Sequence, residues 1–246
     1  MPKNKSYWRA RFVVGLLAAA LVASVSVPLA HAGPVFQISD GTTTVTVMDN
    51  AAGDANPLVG AITYAPGGGG PFPGLSLTIS AGVSKPVYPI PNAIDLFSMQ
   101  ITDALPGIKD FTLKFSDTDF THLLGSANLV LALGGTLTGP GGSIITFDGY
   151  EDNTNTLFGT GGAHVGPAAF GPGPYSTQQA VSIIGVSPFS LTEVVTIHFT
   201  GPGALSFDSE LKVVPEPATL TLLGFGLMGL SACAWRRRKG VGTPTR

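Results

Sequence analysis

At 246 residues, with a mean hydropathy of +0.34 and only 11% charged residues, the chain lacks the composition of an ordinary cytosolic enzyme. Nine of its thirteen lysines and arginines lie in the two terminal segments, and residues 33–214 hold four lysines (Lys85, Lys109, Lys114, Lys212) against fourteen carboxylates. Such an acidic body repels phosphate backbones and argues against nucleic-acid binding, and the only cysteine, Cys233, leaves it neither a disulfide nor a thiolate metal site.

In chain order, residues 1–11 are basic, 12–29 are apolar, and Ala30-His31-Ala32 supplies small residues ahead of a cleavage point. This pattern predicts a helical secretory signal peptide over 1–32, cut after Ala32 by a signal peptidase that reads Ala30 and Ala32. The exported body then begins at Gly33, and residues 33–213 are long enough to bury roughly 70% of their unfolded surface without covalent staples.

Period-two alternation of apolar and polar residues recurs through the body. It is cleanest at 75–80 (LSLTIS), 111–116 (FTLKFS) and 205–213, and less regular at 35–39, 42–48, 95–102, 129–138, 143–150, 180–186 and 191–200. Helical spacing is confined to 118–124, where Asp117 offers a cap and Gly125 a stop. About ten short strands rich in Thr, Val and Phe predict an all-β fold, an antiparallel β-sandwich of either jelly-roll or immunoglobulin-like topology. Two Gly/Pro-rich stretches, 65–74 and 159–176, read as long loops.

The body contains no nucleophile elbow, P-loop, H-E-x-x-H or C-x-x-C. Its densest set of hard oxygen donors is Asp148, Glu151, Asp152, Asn153 and Asn155, a turn-forming stretch with ligands suited to calcium but without EF-hand order. Asp117 with Asp119, and Asp49 with Asp54, are smaller sets of the same kind, and acidic turns arise as readily for backbone reasons. The histidines left after signal removal, His122, His164 and His198, are far apart, with His198 on a Thr-rich strand face. Both tryptophans lie in the terminal segments, so Tyr64, Phe72, Tyr88, Tyr150 and Tyr175 are the rings available for stacking on a sugar. The Thr-rich run 42–46 is one array only, too little for an ice-binding face.

The C-terminal segment begins with Pro215-Glu216-Pro217, whose two prolines resist continuation of a strand and predict an exposed linker. Residues 218–235 carry no charge and would reach about 27 Å as a helix, close to the minimum for a bilayer span. Arg236, Arg237, Arg238 and Lys239 follow as a cytoplasmic stop, and 241–246 form a short tail. The G-x-G-x-x-G spelled by 224–229 has no strand or βαβ unit around it and reads as membrane-helix glycine.

Pro-Glu-Pro, an apolar Gly/Leu-rich helix and a terminal arginine cluster, together spanning 214–240, resemble the PEP-CTERM sorting signal of Gram-negative bacteria. The resemblance implies recognition at Pro215, Glu216 and Pro217 by an exosortase. It further implies transient residence in the inner membrane, removal of the tail, and delivery to the cell surface or an exopolysaccharide matrix. The resulting expectation is a non-enzymatic exported surface or matrix protein without a cofactor. The alternatives are a calcium-dependent carbohydrate-binding module and, behind it, a secreted hydrolase or an ice-binding protein.

Overall fold

The computed structural model describes residues 33–66, 70–121, 125–185, 187–216, 226–228 and 230–231. Twelve strands run β1 (Val35–Ser39), β2 (Thr44–Met48), β3 (Ala61–Tyr64), β4 (Leu75–Val83), β5 (Ala93–Asp103) and β6 (Lys109–Phe120). They continue as β7 (Ser126–Thr138), β8 (Ile144–Asp152), β9 (Ala163–Phe170), β10 (Gly173–Ile184), β11 (Phe189–Phe199) and β12 (Gly203–Pro215). They form two six-stranded antiparallel sheets, ordered β2-β1-β6-β11-β8-β9 (sheet A) and β10-β7-β12-β5-β4-β3 (sheet B). From β5 onward the chain passes back and forth between β5-β12-β7-β10 and β6-β11-β8-β9 at every step except the β8–β9 hairpin, which is the interleaving of a jelly roll. The hairpin β1–β2 widens sheet A beside β6, and β3–β4 widens sheet B beside β5.

Alternation explains which side chains meet between the sheets. Phe111, Leu113 and Phe115 of β6 and Val195, Ile197 and Phe199 of β11 are at most 4% exposed, while the intervening Thr112, Lys114 and Thr196 turn outward. Leu205, Phe207, Leu211 and Val213 of β12 face them from sheet B. Phe147 of β8 sits at the centre of an aromatic group, edge-on to Phe207 at 5.2 Å and within 6.5 Å of Tyr175 and Phe170, which themselves stack at 4.7 Å. Gly149, inward on the same strand, leaves room for facing side chains: a Cβ there would lie 2.5 Å from a methyl of Leu211 and 3.0 Å from one of Val165.

Three of the body's four lysines are held in ion pairs: Lys85 with Asp117 (3.0 Å), Lys109 with Asp103 (2.5 Å) and Lys212 with Glu210 (2.5 Å). Asp117 is buried and also accepts from Ser84 Oγ and the Thr118 amide, while the Lys85 ammonium lies 3.9 Å above the Phe120 ring and donates to the Thr118 carbonyl. This pin fixes the segment after β4 to the end of β6.

Several sequence expectations are corrected. Residues 118–120 belong to β6 rather than to a helical turn, because Leu191 and Phe189 of β11 extend the ladder past a register shift; 122–124 lie outside the described residues. The stretch 159–176 contains β9 and the start of β10. Its glycines and prolines are tolerated because β9 is an edge strand, with the Gly166-Pro167 pair at a register shift against β8. The four-residue β3 has no counterpart among the expected strands. The body extends beyond 213: Val214 pairs with Asn128, Pro215 closes β12 opposite Ala127, and the Glu216 amide donates to Ser126 O at 3.1 Å. The Val213 amide points to Asn92 O and the Glu216 amide to β7, so the missing N–H of Pro215 falls on the side where β5 has ended and no ladder bond is lost. The expected signal helix over 1–32 lies outside the described residues. Of the expected span 218–235, only 226–228 and 230–231 are described, as helix, and no helix among the described residues is long and apolar enough to cross a membrane.

Because Phe147 joins strands of both sheets, Phe147→Ala is expected to cost about 3–5 kcal/mol and to lower Tm by roughly 10 °C. Ile184→Ala, at a side chain 85% exposed, should stay within about 0.5 kcal/mol of the parent in the same thermal or urea melts.

Candidate functional site

The outer face of sheet B is built from alternate residues of strands that are distant in sequence. Their register aligns Thr78, Gln100, Ser206 and Thr136 in one row across β4, β5, β12 and β7, and Ser76, Thr102, Ala204 and Thr138 in the next. All except Ala204 are exposed. The face is indented rather than flat because two irregularities coincide. One is a bulge in β5, where Ser98 takes φ 54° and its amide donates to Asp208 Oδ1, shifting the register with β12 between Phe207 and Ser209. The other is Gly134 on β7, opposite Asp208, which brings no side chain to the surface.

The result is a depression of about 370 Å³ between Ser98, Gln100, Gly134, Thr136, Ser206 and Asp208. A second depression of about 170 Å³ shares Gln100, Thr136 and Ser206 and runs on to Thr102 and Thr138, so the two form one trough. Hydroxyls and a carboxamide can each donate and accept, and Asp208 adds an acceptor. That lining can exchange hydrogen bonds with a polyhydroxylated ligand, and it holds no nucleophile–base pair.

Beside the trough, Asp95 and Glu210 are cross-strand partners. Tyr88 Oη donates to Glu210 Oε1 at 2.7 Å and Lys212 to Oε2. Burial, then the charges of Glu210 and Asp208, push the Asp95 carboxyl up to about 6, against weaker opposing effects of Tyr88 and Lys212. Both oxygens of Glu210 are engaged by Tyr88 and Lys212, and the Tyr88 bond ties the 84–92 segment to β12. Beneath it, in the interlayer core, Glu193 of β11 is 1% exposed; neither of its oxygens has a hydrogen-bond partner, and the Ser209 hydroxyl of β12 is likewise unpartnered. Burial, together with the charges of Asp95 and Glu210, raises its carboxyl well above the usual range.

The sequence-derived candidates are placed elsewhere. Asp148 faces outward and meets His164 Nε2 at 2.7 Å, with His164 stacked on Tyr150 at 4.6 Å. Glu151 is buried beside the Asn153 amide, and Asp152 accepts from Thr154 within its own turn. Asn155 exchanges two hydrogen bonds of 2.8 Å with Asp119. These five residues do not converge, and no group of three or more His, Cys, Asp or Glu among the described residues is placed to hold a metal ion. Asp49 and Asp54 cap backbone amides of their own loop and of Gly60 and Thr63. His198 pairs with Asp110 at 2.7 Å, and His122 lies outside the described residues. Of the rings, Tyr64 and Phe72 are in the core and Tyr175 stacks beneath sheet B; Tyr88, in the segment between β4 and β5, and Tyr150, on β8, are half-buried and apart. Sequence reasoning did not find the trough. Its only trace there is the Ser/Thr/Gln choice at outward positions of four strands, which register alone unites.

The two raised carboxyls make a pH prediction. A raised folded-state pKa contributes stability that is complete below the ordinary carboxylate range and is lost as pH climbs through the folded value. Glu193→Gln should therefore melt close to the parent at pH 4 and above it at pH 8, by about 1.4 kcal/mol for each pKa unit the fold imposes below that pH. A parent that gained stability relative to the variant between those pH values would contradict the placement of Glu193.

Comparison with known proteins adds the following. No curated protein sequence matches the chain. Among solved structures, TmCBM61 in complex with beta-1,4-galactotriose aligns at 10% identity and a TM-score of 0.32, over 67% of this chain and 92% of that one. An Arthrobacter globiformis T6 isomalto-dextranase complexed with panose aligns at 16% identity and a TM-score of 0.23, over 61% of this chain and 23% of that one. Likenesses at these values do not bear on what this chain binds. Residues 213–238 match the PEP-CTERM protein-sorting motif, beginning inside β12 and running through Pro215, Glu216 and Pro217 to the arginine cluster. The chain is thus a PEP-CTERM sorting-motif protein, with that motif joined directly to a two-sheet β-sandwich.

Proposed function

We propose that this protein is an exported, non-enzymatic surface component whose sandwich binds an uncharged polysaccharide along the trough of sheet B. The precursor is held in the inner membrane by residues 218–235, with Arg236, Arg237, Arg238 and Lys239 on the cytoplasmic side, until an exosortase removes the tail. The sorting motif supports export and processing. The ligand class is supported by one observation, the continuous trough of hydroxyl and carboxamide groups contributed by β5, β7 and β12.

Charge narrows that class. Asp208, Glu210 and Asp95 border the trough with Lys212 as the nearby cation, so uronate, sulfate or phosphate groups would be repelled and neutral hydroxyls accepted. Rings play little part, and affinity for each sugar unit is expected to be modest, with avidity supplied by many copies on one matrix.

Gly134 offers a clean test, because a Cβ there meets nothing nearer than 3.6 Å and its φ is not in the left-handed region. Gly134→Leu should fill the trough, leave Tm unchanged and abolish retention on immobilised neutral polysaccharide. Gln100→Ala should weaken retention about two- to tenfold, the worth of one hydrogen bond. Retention should survive a calcium chelator. Failure of the parent to be retained by any neutral glycan, or equal retention of Gly134→Leu, would sink the ligand assignment. For the processing half, mass spectrometry of the protein released by cells with an active exosortase should lack the peptide 236–246; its persistence would overturn tail removal.

A further inference from the structure

The tail leaves the sandwich at the end of β12, and that end carries an unusual concentration of exposed apolar side chains. Ile184, at the end of β10, is 85% exposed; Val87 (41%) and Ile90 (38%) lie in the segment joining β4 to β5; and Val214 (38%) is on β12 itself. Ladder pairing gathers them. Ile184 is opposite Ser126, whose carbonyl accepts from the Glu216 amide, and the Val213 amide donates to Asn92 at the close of the 84–92 segment. Prolines 86, 89, 91 and 215 are exposed in the same region.

These side chains are displayed rather than merely unpacked. The 84–92 segment is fastened by the Lys85–Asp117 ion pair, by the Tyr88 hydroxyl on Glu210, and by backbone bonds from Ser84 to Gly60 and from Tyr88 to Ser84. Of the nearby charges, Asp117 is paired with Lys85 and Glu210 with Lys212, Asp119 accepts from the Asn155 amide, and Asp95 and Glu216 complete the set.

Chain length says what covers this end. Glu216 is bonded to the sheet, and Pro217 alone separates it from Ala218, the first residue of the apolar run. Two residues span at most about 7 Å even when fully extended, so covalent reach keeps the start of that run within about that distance of Glu216.

We infer that the tail-proximal end of the sandwich is a lipid-contacting face, on which Ile184, Val87, Ile90 and Val214 enter the interfacial region of the bilayer while the precursor is anchored. The inference rests on the anchored-precursor reading above. It adds that the sandwich stands upright on the membrane, with the sorting motif held between sheet and lipid. The opposite end, where Ile108 is 69% exposed between β5 and β6, stands about 40 Å away along the length of the thirteen-residue β12.

The test uses the full chain with Cys233→Ser, carrying an environment-sensitive fluorophore on either Ile184→Cys or Ile108→Cys. Each protein is reconstituted in phosphatidylethanolamine/phosphatidylglycerol vesicles containing brominated acyl chains. Flotation with the vesicles, together with blue-shifted, bromine-quenched emission at 184 and water-like emission at 108, is the expected result. Flotation with water-like emission at both positions, or quenching at both, would overturn the lipid-contacting face while leaving the anchor intact. Failure to float would overturn both.

Discussion

No disulfide cross-links the two sheets, since the body lacks cysteine, so its cohesion depends on interdigitation of the inward rows of sheets A and B. Phe147, Phe207, Phe170 and Tyr175 draw on four strands, two from each sheet, and set the spacing at the middle of the layer. That dependence accounts for the distribution of polar chemistry. Charged groups are moved to outer faces, to the ends of strands or into tight ion pairs. Glu193 stands out because it occupies an inward position with neither a cation nor a hydrogen-bond donor on its oxygens. A carboxyl and a serine hydroxyl without partners in this dry layer each carry an uncompensated desolvation cost, and that burial raises the Glu193 carboxyl well above its usual range.

The two faces of the sandwich have different characters for the same reason. On sheet A, paired groups such as His164 with Asp148, His198 with Asp110 and Ser116 with Thr192 satisfy each other across neighbouring strands. On sheet B, Gln100, Thr136 and Ser206 remain open to solvent around a gap created by a bulge and a glycine. A surface with its hydrogen-bonding capacity unspent is the one on which a hydroxylated partner gains most. The carboxylates at its border decide which partners are rejected more than which are held.

Much of the architecture was legible in the residues. Strict alternation at 111–116 and 205–213 marked strands with one buried face, and the sorting tail was legible from Pro215, Glu216, Pro217 and the arginine cluster. What escaped was decided by tertiary context. The β9 strand hides behind Gly166 and Pro167 because an edge strand with one partner can carry a proline at a register shift, where an interior strand could not. Thr118 looked helical because spacing over a few residues cannot register that β11 lies alongside. The acidic residues of 148–155 are close in sequence, but in a strand Asp148 and Glu151 point to opposite faces, which spacing along the chain does not reveal. The trough was invisible for the converse reason, being assembled only when β12 is inserted between β5 and β7.

That insertion has a consequence for how the cell meets this protein. Among the described residues the last strand in chain order, β12, is an interior strand, paired along most of its length on both sides. A chain cut short before it would present two bare strand edges facing one another across a missing rung. Completion of sheet B therefore requires the chain up to residue 215, two residues inside the sorting-motif match that begins at 213, so the fold and the motif share one stretch of backbone.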